Sequence, residues 1–95
     1  MLYRNRTEIV AQILEAVNDS SSNRGGGRRG GVTKSWIMYK AFLSNAQLRE
    51  YLTLLTDNGL LNYDLDTQTF NTTEKALGFL KAYRQLNQLM KEEEQ

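Results

Sequence analysis

Apolar residues recur at helical spacing in four stretches of the chain, divided by polar stretches that break the period. Ile9, Val10, Ile13, Leu14 and Val17 fall on one face, which predicts a first helix from about Arg6 to Asn18. Asn5 and Glu8 have the spacing of a capping box, in which each side chain satisfies a backbone N–H at the helix start. From Asp19 to Gly31 the chain reads DSSSNRGGGRRGG, without one large apolar side chain. Serine, asparagine and glycine there predict a mobile loop, and no proline stiffens it. A second helix is predicted over Lys34–Phe42 with Thr33 as its N-cap, Ile37, Met38 and Ala41 inward, and Trp36 and Tyr39 to the side. Leu43 to Gln47 breaks and restarts the helix: Ser44 caps, and Gln47 answers it from the third helical position. The third helix runs from Asn45 to about Asp57, burying Leu48, Tyr51, Leu52 and Leu55. Asn58-Gly59 ends it, because glycine takes the left-handed position freely.

Leu61, Tyr63 and Leu65 then alternate, as in a half-exposed strand. Asp66-Thr67-Gln68 makes a turn, and Thr69-Phe70-Asn71 returns as a second strand. Thr72 or Thr73 caps a last helix that continues to about Glu92. The fold class is therefore α+β and mainly α: a winged helix-turn-helix of three helices and a two-stranded wing, followed by a long C-terminal dimerisation helix. Residues 1–72 form the winged-helix domain with its glycine-arginine loop at 19–31. Residues 73–92 form the dimerisation helix, and 93–95 an acidic tail.

Two short helices with a capping serine opening the second make a helix-turn-helix, here from about Thr33 to Asp57. The third helix leaves its outer face unburied, and a helix of that width enters the major groove of duplex DNA. Subtracting the buried positions leaves Asn45, Gln47, Arg49, Glu50, Thr53 and Thr56. Arg49 is a two-pronged donor suited to a base or a phosphate. Asn45 and Gln47 have the chemistry to read adenine, unless the cap occupies Gln47. Ser44 and the N–H groups at the helix start suit a phosphate. Glu50 repels phosphate unless it accepts from a cytosine amino group. Asp64 and Asp66 put negative charge on the wing. With no His, Lys or Cys partner nearby they read as turn residues bonded to their own backbone, not as a paired-carboxylate active site.

Charge sharpens this picture. The net charge is only +1, yet from Arg24 to Arg49 there are six basic residues and no acid, while Glu92, Glu93 and Glu94 gather at the end. A one-sign stretch of that kind is either the footprint of a phosphate binder or a solvated basic surface. Ninety-five residues make one domain. Cysteine and histidine are both absent, which removes disulfides, thiol chemistry, the commonest general base and the commonest metal ligand. No nucleophile–base pair or phosphate-loop motif is present, so an enzyme is not expected, nor any metal or cofactor. No membrane-length apolar run and no signal pattern occur, so the expected location is cytoplasmic.

In the last helix Ala76, Phe79, Tyr83, Leu86 and Met90 alternate at spacings of three and four, an a/d seam over about two heptads. Leu77 and Leu80 lie beside it and are expected to pack on the domain's own helices. Leu86, Leu89 and Met90 lie beyond the globular body, where a second chain would cover them. The alternatives are a homodimer and a monomer with a frayed helix. Arg24, Arg28 and Arg29 stand among glycines, a composition that tracks nucleic-acid backbones without folding. That loop is either a sequence-independent arm on DNA, an RNA-binding element, or a tolerated surface insertion.

The run Thr33-Lys34-Ser35-Trp36-Ile37-Met38-Tyr39-Lys40-Ala41-Phe42-Leu43-Ser44 resembles a signature of small archaeal winged-helix proteins. Leu48-Arg49-Glu50-Tyr51-Leu52, Asn58-Gly59-Leu60-Leu61 and Thr72-Thr73-Glu74-Lys75-Ala76-Leu77-Gly78-Phe79-Leu80 resemble the later segments of those proteins. The chain is thus similar to the archaeal 10a-type chromatin proteins and their related transcriptional regulators. The resemblance implies duplex DNA as partner and dimerisation through the C-terminal helix as an antiparallel coiled coil. It places Lys34, Tyr39, Lys40, Ser44, Asn45 and Arg49 towards DNA. The chain departs from the family in its long basic loop and in a shifted Lys-Gly step, with Ala76 after Lys75 and glycine only at Gly78. Winged helices also serve as protein-interaction adaptors, which the low net charge and acidic wing would suit.

Overall fold

The computed structural model describes residues 5–23 and 31–93 of the chain. Four helices and one hairpin occur in the order α1 (Arg6–Asn23), α2 (Lys34–Ala41), α3 (Asn45–Asp57), β1 (Leu61–Asp64), β2 (Thr69–Thr72) and α4 (Glu74–Glu93). This mainly helical arrangement with a two-stranded antiparallel wing is the fold class expected from the pattern.

The first helix lies at the centre, packed on α2, β2 and α4. Its capping box forms as the sequence implies: the Glu8 N–H donates to Asn5 Oδ1 at 2.8 Å and the Asn5 N–H to Glu8 Oε1 at 3.1 Å. Ile13, Leu14 and Val17 are fully buried, and Ala11 and Ala16 join them. The helix runs five residues past the expected end at Asn18, through a stretch assigned to the loop. Propagation accounts for this, since each added residue of an anchored helix gains a bond without a new nucleation cost. Arg24, Arg28 and Arg29 lie outside the described residues.

From α2 and α3 the core takes Ile37, Ala41, Leu48, Leu52 and Leu55, and Leu43 fills it from the turn between them. Tyr51, expected inside, is half-buried, and the Arg6 guanidinium covers its ring at 5.7 Å. Leu61, Phe70, Ala76 and Leu80 close the opposite side. Each large apolar side chain removed from water in this way contributes about 1.5–3 kcal/mol.

Both helices of the helix-turn-helix end in the same hydrogen-bond pattern. The Leu43 N–H donates to Met38 O at 3.2 Å, and the Leu60 N–H to Leu55 O at 2.8 Å. Each pattern needs one left-handed residue. In α3 it is Gly59, at φ 75; in α2 it is Phe42, at φ 54. Phe42 is therefore the cap of α2 and not its last helical residue, as the sequence suggested. A left-handed non-glycine residue costs roughly 1–2 kcal/mol.

The hairpin pairs Leu61 with Thr72 and Tyr63 with Phe70, leaving Asn62, Asp64, Thr69 and Asn71 on the outer face. Leu65, expected to extend the first strand, lies in the turn and is 78% exposed. Val32 adds a further rung: its N–H donates to Phe70 O at 3.0 Å, and its carbonyl accepts from the Phe70 N–H at 2.8 Å. Just before it, Gly31 lies so close against Thr69 that a β-carbon there would overlap that side chain. The last glycine of the run is thus required by packing.

Thr73 caps α4, its hydroxyl accepting from the Ala76 N–H at 3.2 Å and donating to Gly59 O at 2.7 Å. Lys75 Nζ reaches Asn58 O at 2.8 Å, placing a cation at the carbonyl end of α3. Ala76 is wholly buried within its own chain, so it belongs to the domain core and not to an intermolecular seam. Leu80 packs inward as expected, but Leu77 is 44% exposed. A β-carbon on Gly78 would meet open space, so the shifted Lys-Gly step costs the packing nothing.

Candidate nucleic-acid interface

Ser44 and Gln47 fix the start of α3. The Gln47 N–H donates to Ser44 Oγ at 3.2 Å, and the Ser44 N–H to Gln47 Oε1 at 3.1 Å. This box commits the Gln47 amide oxygen to the cap and leaves the Asn45 and Ala46 N–H groups outside both bonds. Asn45, Ala46, Arg49, Glu50 and Thr53 are all exposed. Thr56, expected on the outer face, is half-buried and its hydroxyl donates to Leu52 O at 2.9 Å and Thr53 O at 3.1 Å. The exposed side of α3 therefore presents Asn45, Arg49, Glu50 and Thr53.

The second helix presents a different surface. Thr33 caps it, accepting from the Trp36 N–H at 3.2 Å. Lys34 and Lys40 are exposed, and Lys40 Nζ stands 5.4 Å from the centre of the Trp36 ring. The Tyr39 ring lies 5.9 Å from that of Trp36 and is 70% exposed. Phe42, next along, is 81% exposed. Trp36 was placed only to the side of the helix by the sequence, and Phe42 was not singled out as a surface group. The signal was available, since Ile37 and Ala41 define the inner face and neither aromatic shares it.

A groove of about 420 Å³ separates the start of α2 from the wing, lined by Thr33, Lys34, Ser35, Tyr63, Thr67, Gln68 and Phe70. Tyr63 and Phe70 pack at 4.7 Å across the hairpin. At the tip, Asp64 Oδ1 accepts from the Asp66 N–H at 2.9 Å, and the Gln68 N–H donates to Asp64 O at 2.7 Å. Asp64 is thus the turn-forming residue its position implied. From Asn45 to Thr73 the chain carries one cation, Arg49, against four acids: Glu50, Asp57, Asp64 and Asp66.

On α4, Phe79 and Tyr83 are half-buried against the core and stacked at 6.1 Å. Leu86, Leu89 and Met90 are 56%, 60% and 55% exposed, so the apolar stripe continues beyond the surface its own domain covers. Arg84 pairs with Glu15 of α1 at 3.3 Å, tying the helix back to the body. No helix among the described residues is long and apolar enough to cross a membrane. No cluster of three or more His, Cys, Asp or Glu able to hold a metal occurs among the described residues. A family model described as winged helix-turn-helix matches residues 3–91. No curated protein matches the chain.

Proposed function

The chain belongs to the winged helix-turn-helix family, and from that premise we propose that it is a homodimeric duplex-DNA-binding protein, a transcriptional regulator or a nucleoid-associated protein. The observation that carries the reading is the solvent-facing side of α3, with Ser44, Asn45, Arg49 and Thr53, beside the cationic α2 with Lys34, Tyr39 and Lys40. In this reading α3 enters the major groove. Arg49 meets a base edge or a phosphate, and Lys34, Lys40, the Tyr39 hydroxyl and the start of α3 hold the backbone. Gln47, committed to its cap, is the weakest of the base readers. Arg24, Arg28 and Arg29 add phosphate contacts that do not depend on sequence. Kinship with the archaeal 10a-type chromatin proteins, and a cytoplasmic, nucleoid-associated location, belong to the same proposal.

Dimerisation rests on Leu86, Leu89 and Met90 beside Phe79 and Tyr83, an apolar stripe that a second α4 would cover. Sedimentation at micromolar concentration should give twice the 10.9-kDa chain mass; a single 10.9-kDa species would remove the dimer from the proposal. For DNA, labelled duplex titrated at about 50 mM salt, where electrostatic binders are strongest, should bind. Replacing Arg24, Arg28 and Arg29 by Ala should flatten the log–log salt plot by up to ~3 units, about one per contact. Competition of one site against bulk DNA then separates regulator from chromatin protein. A protein-interaction adaptor is the second reading, favoured by the four acids against one cation on α3 and the wing. Absence of duplex binding at that salt selects it.

A further inference from the structure

The aromatic side of α2 faces away from the core. Trp36, Tyr39 and Phe42 are 40%, 70% and 81% exposed, while Ile37 and Ala41 hold the helix to the body of the domain. Phe42 also occupies a left-handed position for which α3 uses glycine. Cations accompany the rings: Lys40 lies over Trp36, Lys34 opens the helix, and no acid occurs from residue 31 to residue 49. An anionic occupant that offers flat π-faces complements this edge in both charge and ring chemistry. In a duplex the base faces are hidden inside the stack, whereas in an unpaired strand each is free to stack on an aromatic side chain.

We propose that the edge formed by Trp36, Tyr39 and Phe42, with Lys34 and Lys40, binds the unpaired bases and backbone of single-stranded DNA. The choice of DNA over RNA rests on the duplex reading above. The stacking itself does not. The rings receive bases and the two lysines the intervening phosphates, so binding tolerates sequence and weakens with salt. Tyr39 then has two uses: its hydroxyl serves a duplex phosphate and its ring serves a base.

Trp36 is the only tryptophan of the chain, so its fluorescence reports this edge directly. The full-length protein is titrated with oligo(dT) of about 15 nucleotides, within the range single-strand binders engage. The same length of duplex DNA and of oligo(U) RNA is titrated in parallel by anisotropy. Oligo(dT) should quench Trp36. Phe42→Gly, which removes the ring and suits the backbone, should weaken oligo(dT) about fivefold or more and leave duplex affinity within about twofold. Tyr39→Ala should weaken oligo(dT) similarly, whereas Tyr39→Phe should retain it. Melting of the variants by circular dichroism at or above the parent temperature excludes unfolding as the cause. The proposal is overturned by no quenching, by equal loss on duplex and single strand in Phe42→Gly, or by tighter binding of oligo(U). It is equally overturned if Tyr39→Phe loses as much as Tyr39→Ala, or if quenching tracks protein concentration without DNA, which would make the edge a self-association surface. Oligo(dT) binding without duplex binding supports this proposal while removing the duplex reading.

Discussion

The two helices of the helix-turn-helix are built alike and present opposite surfaces. Each is opened by a hydroxyl cap, Thr33 or Ser44, and each ends around one left-handed residue. Yet α2 with its cap Phe42 shows solvent two lysines and three aromatic rings, while the Asn45–Thr73 stretch carries one arginine and four acids. In the proposed function, fold position gives sequence reading to α3 and charge gives attraction to α2. The two assignments are separable because the caps and inner faces of α2 and α3 involve none of Lys34, Lys40, Arg49 and Glu50. A winged helix-turn-helix can therefore keep its architecture while its electrostatic weight moves from one helix to the other.

The strongest way to break this contrast is Arg49→Ala. If α3 reads DNA, losing its one cation should cost about 1–3 kcal/mol on a preferred duplex and relax sequence preference there. Anisotropy titrations on two duplexes check it, and an unchanged preference would leave α3 a spacer. Next come the helix endings. Gly59→Ala should destabilise by roughly 1–2 kcal/mol, because its left-handed backbone penalises any β-carbon. Phe42→Gly should stabilise by about half that or more, since it removes the same penalty from α2. Urea unfolding of both variants tests the pair, and changes of the same sign would refute the comparison. Lys34→Ala with Lys40→Ala should weaken all duplexes alike and reduce the salt slope by about two units, one per contact. A loss confined to one sequence would move reading onto α2. Smallest should be Asp64→Asn with Asp66→Asn, which keeps the Asx-type turn but removes two charges from the wing tip. A modest, salt-sensitive gain in duplex affinity is expected, and no gain would place the wing away from the phosphates.

The elements written by local chemistry were legible in advance. Both capping boxes lie within four residues, and the inner faces of α1, α2 and α3 keep a single period. What escaped was set by contacts distant in sequence. The α1 extension to Asn23 is carried by an already anchored helix that no local residue announces. The left-handed Phe42 looks like one more helical residue until Leu43 is seen to turn into the core. In α4 a continuous apolar stripe does not reveal which part its own domain buries. Ala76 proved internal and Leu77 external, while Leu86, Leu89 and Met90 stayed exposed. Of the candidate site, the outward residues of α3 other than Thr56 and the capping role of Gln47 were readable, but the exposed, left-handed Phe42 needed geometry. Arg24, Arg28 and Arg29 lie outside the described residues.

The two hydrogen bonds between Val32 and Phe70 also bear on the order in which the molecule assembles. They close a loop that contains both helices of the helix-turn-helix and β1. Chain entropy must be lost before such a closure returns any contact, whereas the capped helices form from neighbours alone. We expect this rung to be set after the folding transition state. Val32→Ala should then speed unfolding and leave the refolding rate nearly unchanged in stopped-flow denaturant jumps. A slowed refolding arm would place the rung in the nucleus instead. Set late, the rung acts as a latch on a framework of helices already assembled.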